Sequence, residues 1–282
     1  MPLWKRLTNA LEFVKFSHTV FALPFALMAM LTAAHGLPSP RVLILILVCM
    51  ASARTAAMAF NRLADWEWDK LNPRTANRSR LITRASAQGL CVASLAIFVA
   101  ASAGLNRLCL FLAPVAIVLV LGYSLLKRFT SFAHAGLGVA LAAAPMGAWV
   151  AVRGDFTSPA PWVLATGVLC WVFGFDLIYA TLDVEFDRKA GLFSFPSRYG
   201  VQASLRLASA LHAVAWGLFL GFGLAAGLGK PYWFGLGIAA VGLVFEQRLS
   251  RSEDTGRINV AFFQVNALVG LVLLVGTALS IY

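Results

Sequence analysis

Long apolar segments, separated by short polar connections, make up most of this chain. The hydrocarbon core of a bilayer is about 30 Å thick and takes about 20 apolar residues per helix. Backbone groups cannot bond to water there, so helices are the expected element. The predicted spans cover residues 17–35, 41–64, 88–105, 108–126, 132–152, 162–182, 202–228, 232–245 and 258–281. The sequence therefore predicts an all-α integral membrane protein, in which about nine transmembrane helices surround a central cavity open to the cytoplasmic side.

The composition excludes several other classes of protein. Hydrophobic residues make up 60% of the 282 residues, and charged residues make up 12%, about half the usual share in a soluble domain. The net charge of +11 could indicate nucleic-acid binding, but the basic residues lie in short loops between apolar runs, so no nucleic-acid partner is expected. The four cysteines are scattered singly and form no CxxC pair, which argues against a disulfide framework and against a thiolate metal site.

Two sets of oxygen-bearing side chains recur at the ends of the second and sixth spans. Residues four apart in a helix lie on one face. Charged groups beside hydrocarbon are costly, so a repeated set indicates a functional site. The first set, called here the first ladder, is Asn61, Asp65 and Asp69; the second ladder is Asp183 and Asp187, with Asp176 two turns earlier.

The arrangement of the spans places both ladders on one side of the membrane. An even number of spans separates them, which suggests a parallel internal repeat of residues 17–130 and 131–250, plus a final helix 258–281, within a single polytopic domain 1–282. Most Lys and Arg residues lie in the loops on the ladder side. The positive-inside rule therefore predicts a multi-pass protein of the inner or plasma membrane whose site faces the cytoplasm.

Carboxylates and an amide, without a nearby His or Cys cluster, are hard oxygen ligands that suit Mg²⁺. Mg²⁺ usually meets a protein through a few carboxylates and the phosphates of a substrate. Two facing sites would hold a diphosphate between metal ions, and neighbouring basic side chains would bind its remaining oxygens. The basic candidates are Arg74, Arg78, Arg128, Arg188 and Lys189.

A diphosphate held at the membrane surface, above an apolar cavity, indicates a lipid diphosphate. If the lipid is allylic, loss of the diphosphate leaves a resonance-stabilised cation that an electron-rich ring can attack. Aromatic faces can stabilise such a cation. The candidates are Phe60, Trp66, Trp68, Tyr123, Phe175 and Tyr179.

Several motifs resemble those of the UbiA superfamily of intramembrane polyprenyltransferases, in order and over nearly the whole chain. The first ladder matches Asn-x-x-x-Asp-x-x-x-Asp and is followed by an Arg-Thr-Ala-Asn-Arg element at residues 74–78. Residues 127–130 resemble the family's Lys-Arg-aromatic-Thr step, and residues 179–187 resemble Tyr-Ala-x-x-Asp-x-x-x-Asp. Two positions depart from the family's pattern: Arg62 stands where an Asp is common, and residues 79–83 replace a Pro-Leu-Pro-Ser-Gly-like run.

The resemblance implies a Mg²⁺-dependent prenyltransferase that moves a polyprenyl group from an isoprenyl diphosphate to a ring carbon of an aromatic hydroxy acid. It is strongest to the 4-hydroxybenzoate branch of quinone biosynthesis, although residues 17–24 and 183–189 also resemble menaquinone-pathway relatives that prenylate a dihydroxynaphthoate. The implied metal ligands are Asn61, Asp65, Asp69, Asp183 and Asp187, and the four aspartates among them are the implied catalytic residues. The implied substrate-binding residues are Asn61, Arg74, Arg78, Arg128, Asp176, Tyr179 and Lys189.

Two alternatives from other classes remain open at this point. Intramembrane aspartates with nearby Gly and Pro would also suit an ion-coupled secondary transporter. Against this, the acids lie at the span ends, beside Arg-rich loops that suit phosphate. A membrane subunit with a purely structural role fits the density of motifs less well. His134 and His18 lie near the cytoplasmic span ends, where a packing role is expected.

Overall fold

A computed structural model describes residues 3–71, 75–77, 81–252 and 254–282. This part of the chain is 85% helical and contains no strand. Its helices are α1 (Leu3–Phe13), α2 (Leu23–Ala34), α3 (Pro40–Ala64), α4 (Trp66–Leu71), α5 (Arg84–Leu105), α6 (Arg107–Leu126), α7 (Ala133–Arg153), α8 (Pro159–Ala180), α9 (Val184–Lys189), α10 (Phe195–Tyr199), α11 (Val201–Ala225), α12 (Lys230–Leu249), α13 (Thr255–Val260) and α14 (Asn266–Ile281). Two 3₁₀ turns lie at Phe16–Phe21 and Thr181–Asp183, and a π-helical turn lies at Ala261–Val265.

Seven helical segments of the described chain are long and apolar enough to cross a membrane, which makes this a multi-pass membrane protein. They are Pro40–Ala64, Arg84–Leu105, Arg107–Leu126, Ala133–Arg153, Pro159–Lys189, Val201–Ala225 and Ile258–Ile281. The other two predicted spans fall outside this set. Helix α2 has only 12 residues, and α12 has 20 residues but is not apolar enough to be counted. The all-helical prediction is confirmed, and the total of nine spans stays a prediction.

The first span begins differently from the predicted helix 17–35. Phe16–Phe21 is a 3₁₀ turn, and Pro24 lies in the first turn of α2, where a proline has no intrahelical hydrogen bond to break. The polar connections 65–87 and 183–200 contain the short helices α4, α9 and α10. Each of α4 and α9 buries its first residue, Trp66 or Val184, so both pack against the bundle despite their charged residues.

Helix α8 lies at the centre of the bundle. Its most apolar stretch is 61% buried, against 11% for α6. Trp171 and Phe175 of α8 are fully buried and pack against Phe25 and Phe21. Because α8 is central, its end carries the second ladder to the middle of the bundle.

A buried polar cluster joins the last long helices. Asn266 of α14 donates hydrogen bonds to Oε1 of Glu246 on α12 at 2.8 Å and to the carbonyls of Ala261 and Phe262 at 3.2 and 3.0 Å. These carbonyls belong to the π-helical turn, where the regular i to i+4 backbone hydrogen bonds are interrupted and carbonyl oxygens need other donors. The cluster thereby holds Phe262 in place beside the cavity described next.

Candidate active site

One cavity of about 290 Å³ lies where α3, α6, α7 and α8 reach the same end of the bundle. Its lining combines acidic, basic and aromatic side chains. Of the predicted metal ligands and substrate-binding residues, seven line it: Asn61, Asp65, Asp69, Asp176, Tyr179, Asp183 and Asp187. The structure therefore brings the two ladders to a single cavity.

Helical bonding continues through the first ladder. The N–H of Asp65 donates to the carbonyl of Asn61 at 3.0 Å, and the N–H of Asp69 donates to the carbonyl of Asp65 at 2.8 Å. These bonds span the junction between α3 and α4 and keep the three side chains on one face. The Asn61 amide donates to Oγ of Ser124 at 3.3 Å, which leaves its carbonyl oxygen available to a ligand.

Asp65 is the most buried aspartate of the two ladders. It is 5% exposed, and Nζ of Lys127 lies 2.6 Å from its Oδ2. Burial raises the pKa of the Asp65 carboxyl, and the positive charge of Lys127 opposes that rise. Within the described residues, the buried Oδ1 has no hydrogen-bond partner. A carboxylate oxygen in this state favours a cation as its ligand.

Asp69 pairs with a residue that departs from the family's pattern. The guanidinium of Arg62 lies 3.8 Å from Oδ2 of Asp69, and both residues are buried. Nε of Arg62 also donates to the carbonyl of Phe13 at 3.5 Å. Arg62 therefore balances the charge of the first ladder from within the same helical segment.

The second ladder follows a change of helix type. Helix α8 ends at Ala180, a 3₁₀ turn carries Asp183, and α9 carries Asp187. Both aspartates are partly buried. The N–H of Leu192 donates to the carbonyl of Asp187 at 2.9 Å, and residues 192–194 of the loop after α9 line the cavity.

The basic residues predicted for the site lie in different places. Arg128 is adjacent to Lys127 but does not line the cavity: its guanidinium donates to the carbonyl of Ala64 at 2.6 Å and lies 4.8 Å from the ring centre of Trp68. Lys189 is exposed and also lies outside the cavity lining, and Arg188 donates to the carbonyl of Ser197 at 3.0 Å. Arg74 and Arg78 lie outside the described residues.

Sequence reasoning missed basic residues of the cavity wall, among them Lys127 and Arg54. Lys127 contacts the first ladder through Nζ, and its carbonyl accepts a hydrogen bond from the N–H of Phe193, in the loop after the second ladder, at 2.8 Å. Arg54 lines the cavity from within α3. Its Nε is buried and has no hydrogen-bond partner in the described part of the chain. Its spacing from Asn61 and Asp65, seven and eleven residues, is the helical signal that could have identified it.

Aromatic rings close the apolar part of the cavity. The ring of Tyr179 stacks on that of Phe262 with centroids 4.1 Å apart, and Phe21 and Phe175 pack around Phe262. All four line the cavity. Trp68 and Tyr123 line it too, whereas Phe60 and Trp66 do not. Aromatic faces in this position suit a cation or an isoprenoid chain.

The acidic residues fit Mg²⁺ only together with a phosphorylated ligand. Among the residues that the structure describes, no three His, Cys, Asp or Glu side chains come together as a protein-only metal site. Mg²⁺ commonly binds one or two carboxylates and takes its other ligands from substrate phosphates and water. The unpartnered Oδ1 of Asp65 and the oxygen-only ladders match that mode of binding.

Comparison with known proteins identifies the class of the enzyme. Residues 22–268 match the sequence profile of the UbiA prenyltransferase family. The chain belongs to the UbiA prenyltransferase family. It is therefore an enzyme of the prenyltransferase class, which argues against the transporter and the structural subunit.

Individual relatives of this UbiA family member cover almost its full length. A 4-hydroxybenzoate solanesyltransferase from Synechocystis sp. is 30% identical over 99% of this chain and 96% of its own. A 4-hydroxybenzoate octaprenyltransferase from Ralstonia nicotianae is 32% identical over 90% of this chain and 87% of its own.

Solved structures share the fold. A UbiA homologue from Aeropyrum pernix is 31% identical, with a TM-score of 0.85 over 94% of this chain and 98% of that one. A UbiA homologue from Archaeoglobus fulgidus, bound to GPP and Mg²⁺, is 19% identical, with a TM-score of 0.68 over 96% of this chain and 99% of that one.

Proposed function

We propose that this protein transfers a polyprenyl group from an isoprenyl diphosphate to a ring carbon of an aromatic hydroxy acid of the 4-hydroxybenzoate type, in quinone biosynthesis, with Mg²⁺ as cofactor. The observation that carries the proposal is the meeting of two acidic ladders at one cavity whose other wall is aromatic. The names of the relatives, which are 4-hydroxybenzoate prenyltransferases, support the same acceptor class.

The ladders would hold the diphosphate end of the donor. Asn61, Asp65 and Asp69 would bind one Mg²⁺, and Asp183 and Asp187 would bind the other. When bound, Mg²⁺ supplies Lewis-acid stabilisation of the departing diphosphate. Lys127 would neutralise a further phosphate oxygen from its place beside Asp65.

The rest of the cavity would orient the reacting carbons. The rings of Tyr179 and Phe262 would face the allylic end of the donor and favour positive charge there. Arg54 offers a buried guanidinium with a free N–H, which suits the carboxylate of the acceptor. Four further basic residues remain proposed to bind the diphosphate or the acceptor carboxylate: Arg74 and Arg78, in the connection after α4, and Arg128 and Lys189, outside the cavity lining. The cavity would face the cytoplasm, on the side where the loops are most basic.

Membranes that contain the protein, incubated with geranyl diphosphate and a panel of hydroxybenzoates and dihydroxynaphthoates, test this proposal. We expect a C-prenylated hydroxybenzoate, identified by mass, that is lost in EDTA and restored by added Mg²⁺. A prenylated naphthoate as the main product would move the protein to the menaquinone branch. Full turnover in chelator, or no product with any acid, would overturn the proposal.

A further inference from the structure

A His–Asp pair lies on the cavity wall, outside the two ladders. Nδ1 of His134, at the start of α7, lies 2.7 Å from Oδ2 of Asp176 on α8. Both residues line the cavity, and the side chain of His134 is only 9% exposed. The pair is held where α7 and α8 approach closely: a Cβ on Gly138, one turn after His134, would lie 2.7 Å from the carbonyl oxygen of Leu169.

The pairing fixes which nitrogen of the imidazole is free. A carboxylate only accepts hydrogen bonds, so Nδ1 of His134 carries the proton. The lone pair of the neutral ring is then on Nε2. Nε2 is buried and has no hydrogen-bond partner in the described part of the chain. A buried acceptor without a donor, on the wall of a substrate cavity, indicates a ligand that brings an O–H or N–H group.

We propose that His134 is the general base of the reaction, and that its Nε2 takes the hydroxyl proton of the aromatic acceptor. This rests on the function proposed above. Asp176 is a positioning residue: it holds the imidazole with Nε2 unprotonated and stabilises the imidazolium that forms. No ladder residue has to serve as both a metal ligand and a base.

When the acceptor O–H breaks, its electron pair stays on oxygen and raises the electron density of the ring. The ring carbon ortho to the one that bears this oxygen forms a bond to the first carbon of the prenyl group, whose C–O bond breaks with its electron pair leaving on the diphosphate. The attacked ring carbon then loses its hydrogen to a diphosphate oxygen, and His134 returns its proton to the acceptor oxygen. One proton is released for each prenyl group transferred.

The decisive variant is His134→Gln. The glutamine amide can still donate a hydrogen bond to Asp176, but it cannot take a proton. With 4-hydroxybenzoate we expect kcat to fall by about 100-fold or more, the usual contribution of a general base. The KM for geranyl diphosphate should stay nearly unchanged, because the proposal assigns His134 to the acceptor and the ladders to the donor. Acceptors with electron-withdrawing ring substituents, whose phenols ionise without help, should show a progressively smaller loss.

A second variant separates chemistry from packing. His134→Ala should lose turnover and regain part of it with added imidazole, but not with pyrrole, which has the same shape and no basic nitrogen. A loss that is equal for all acceptors and is not rescued by imidazole would mean that His134 only joins α7 to α8. Near-normal turnover of His134→Gln would also overturn the proposal. If wild-type protein prenylates none of these acids, the proposed function fails first, and it does so without any variant.

Discussion

The two ladders end in short helices of closely similar sequence but different surroundings. Helices α4 and α9 each have six residues, follow an aspartate directly, and begin with an apolar residue, Glu, an aromatic residue, Asp and a basic residue. In α4 these are Trp66, Glu67, Trp68, Asp69 and Lys70; in α9 they are Val184, Glu185, Phe186, Asp187 and Arg188. The similarity is confined to these two short helices, and the internal repeat expected from the arrangement of spans stays a prediction.

The surroundings differ because different helices pack against the two ladders. Asp65 and Asp69 are buried and have basic partners, Lys127 and Arg62. Asp183 and Asp187 are only partly buried, at the end of the central helix α8. The local pattern therefore sets the spacing of the acids, whereas tertiary packing sets their charge environment. If both ladders bind the diphosphate, both should be needed despite this difference.

The largest expected effect is the loss of one carboxylate from either ladder. Asp65→Asn and Asp187→Asn should each lower kcat by about 1000-fold, because the metal contributes several kcal/mol of charge stabilisation and each 1.4 kcal/mol is tenfold in rate. Prenyl transfer from geranyl diphosphate in membranes measures this. Glu67→Gln and Glu185→Gln are the matched controls: each makes the same carboxylate-to-amide change two residues from the variant position, on an exposed side chain, and each should leave turnover nearly normal. A large loss in one ladder only would show that the two are not equivalent.

A smaller effect is expected from the lysine that contacts the first ladder. Lys127→Met removes the charge 2.6 Å from Asp65 and leaves that carboxylate buried with less compensation. We expect KM for the prenyl diphosphate to rise by about 10- to 100-fold, which corresponds to about 1.4–2.8 kcal/mol of binding. Lys230→Met is the control, since Lys230 is exposed at the start of α12 and outside the cavity lining. Lys189→Met tests the substrate-binding role proposed for Lys189: a greater defect in this variant than in Lys127→Met would mean that Lys189 contributes more to binding than Lys127.

Lys127 and Arg128 show where sequence reasoning reaches its limit. The helical period was enough to predict that Asn61, Asp65 and Asp69 share a face, because four-residue spacing is a local property. Which of two adjacent basic residues faces the cavity depends on how the turn after α6 packs, and no local pattern encodes that. The same holds for His134, whose partner Asp176 is 42 residues away in the chain.

The fold was predictable to a similar extent. Apolar length predicted the long helices, since a membrane leaves few alternatives to a helix. It did not predict where α4 and α9 begin and end. Only the four-residue spacing of the acids indicated helix there, and the burial of Trp66 and Val184 depends on neighbouring helices. Arg54 was missed because an isolated charge inside an apolar run gives no motif until its helical face is compared with that of Asn61.

The smallest expected effect concerns the support of the second ladder. In Gly138→Ala the new Cβ would meet the Leu169 backbone, which cannot move aside as a side chain can, so α7 and α8 must separate slightly. Overpacking of this kind costs about 1–3 kcal/mol, which should lower the thermal transition in detergent by a few degrees. Gly147→Ala lies on the same helix with no atom within 4 Å of the new Cβ, so it should not lower the transition.

Because α8 carries Asp176 and leads into the second ladder while α3 carries the first, the Gly138 variant should also weaken catalysis at temperatures where it remains folded. An activity equal to that of the Gly147 variant would mean that the second ladder tolerates a small shift of its helix.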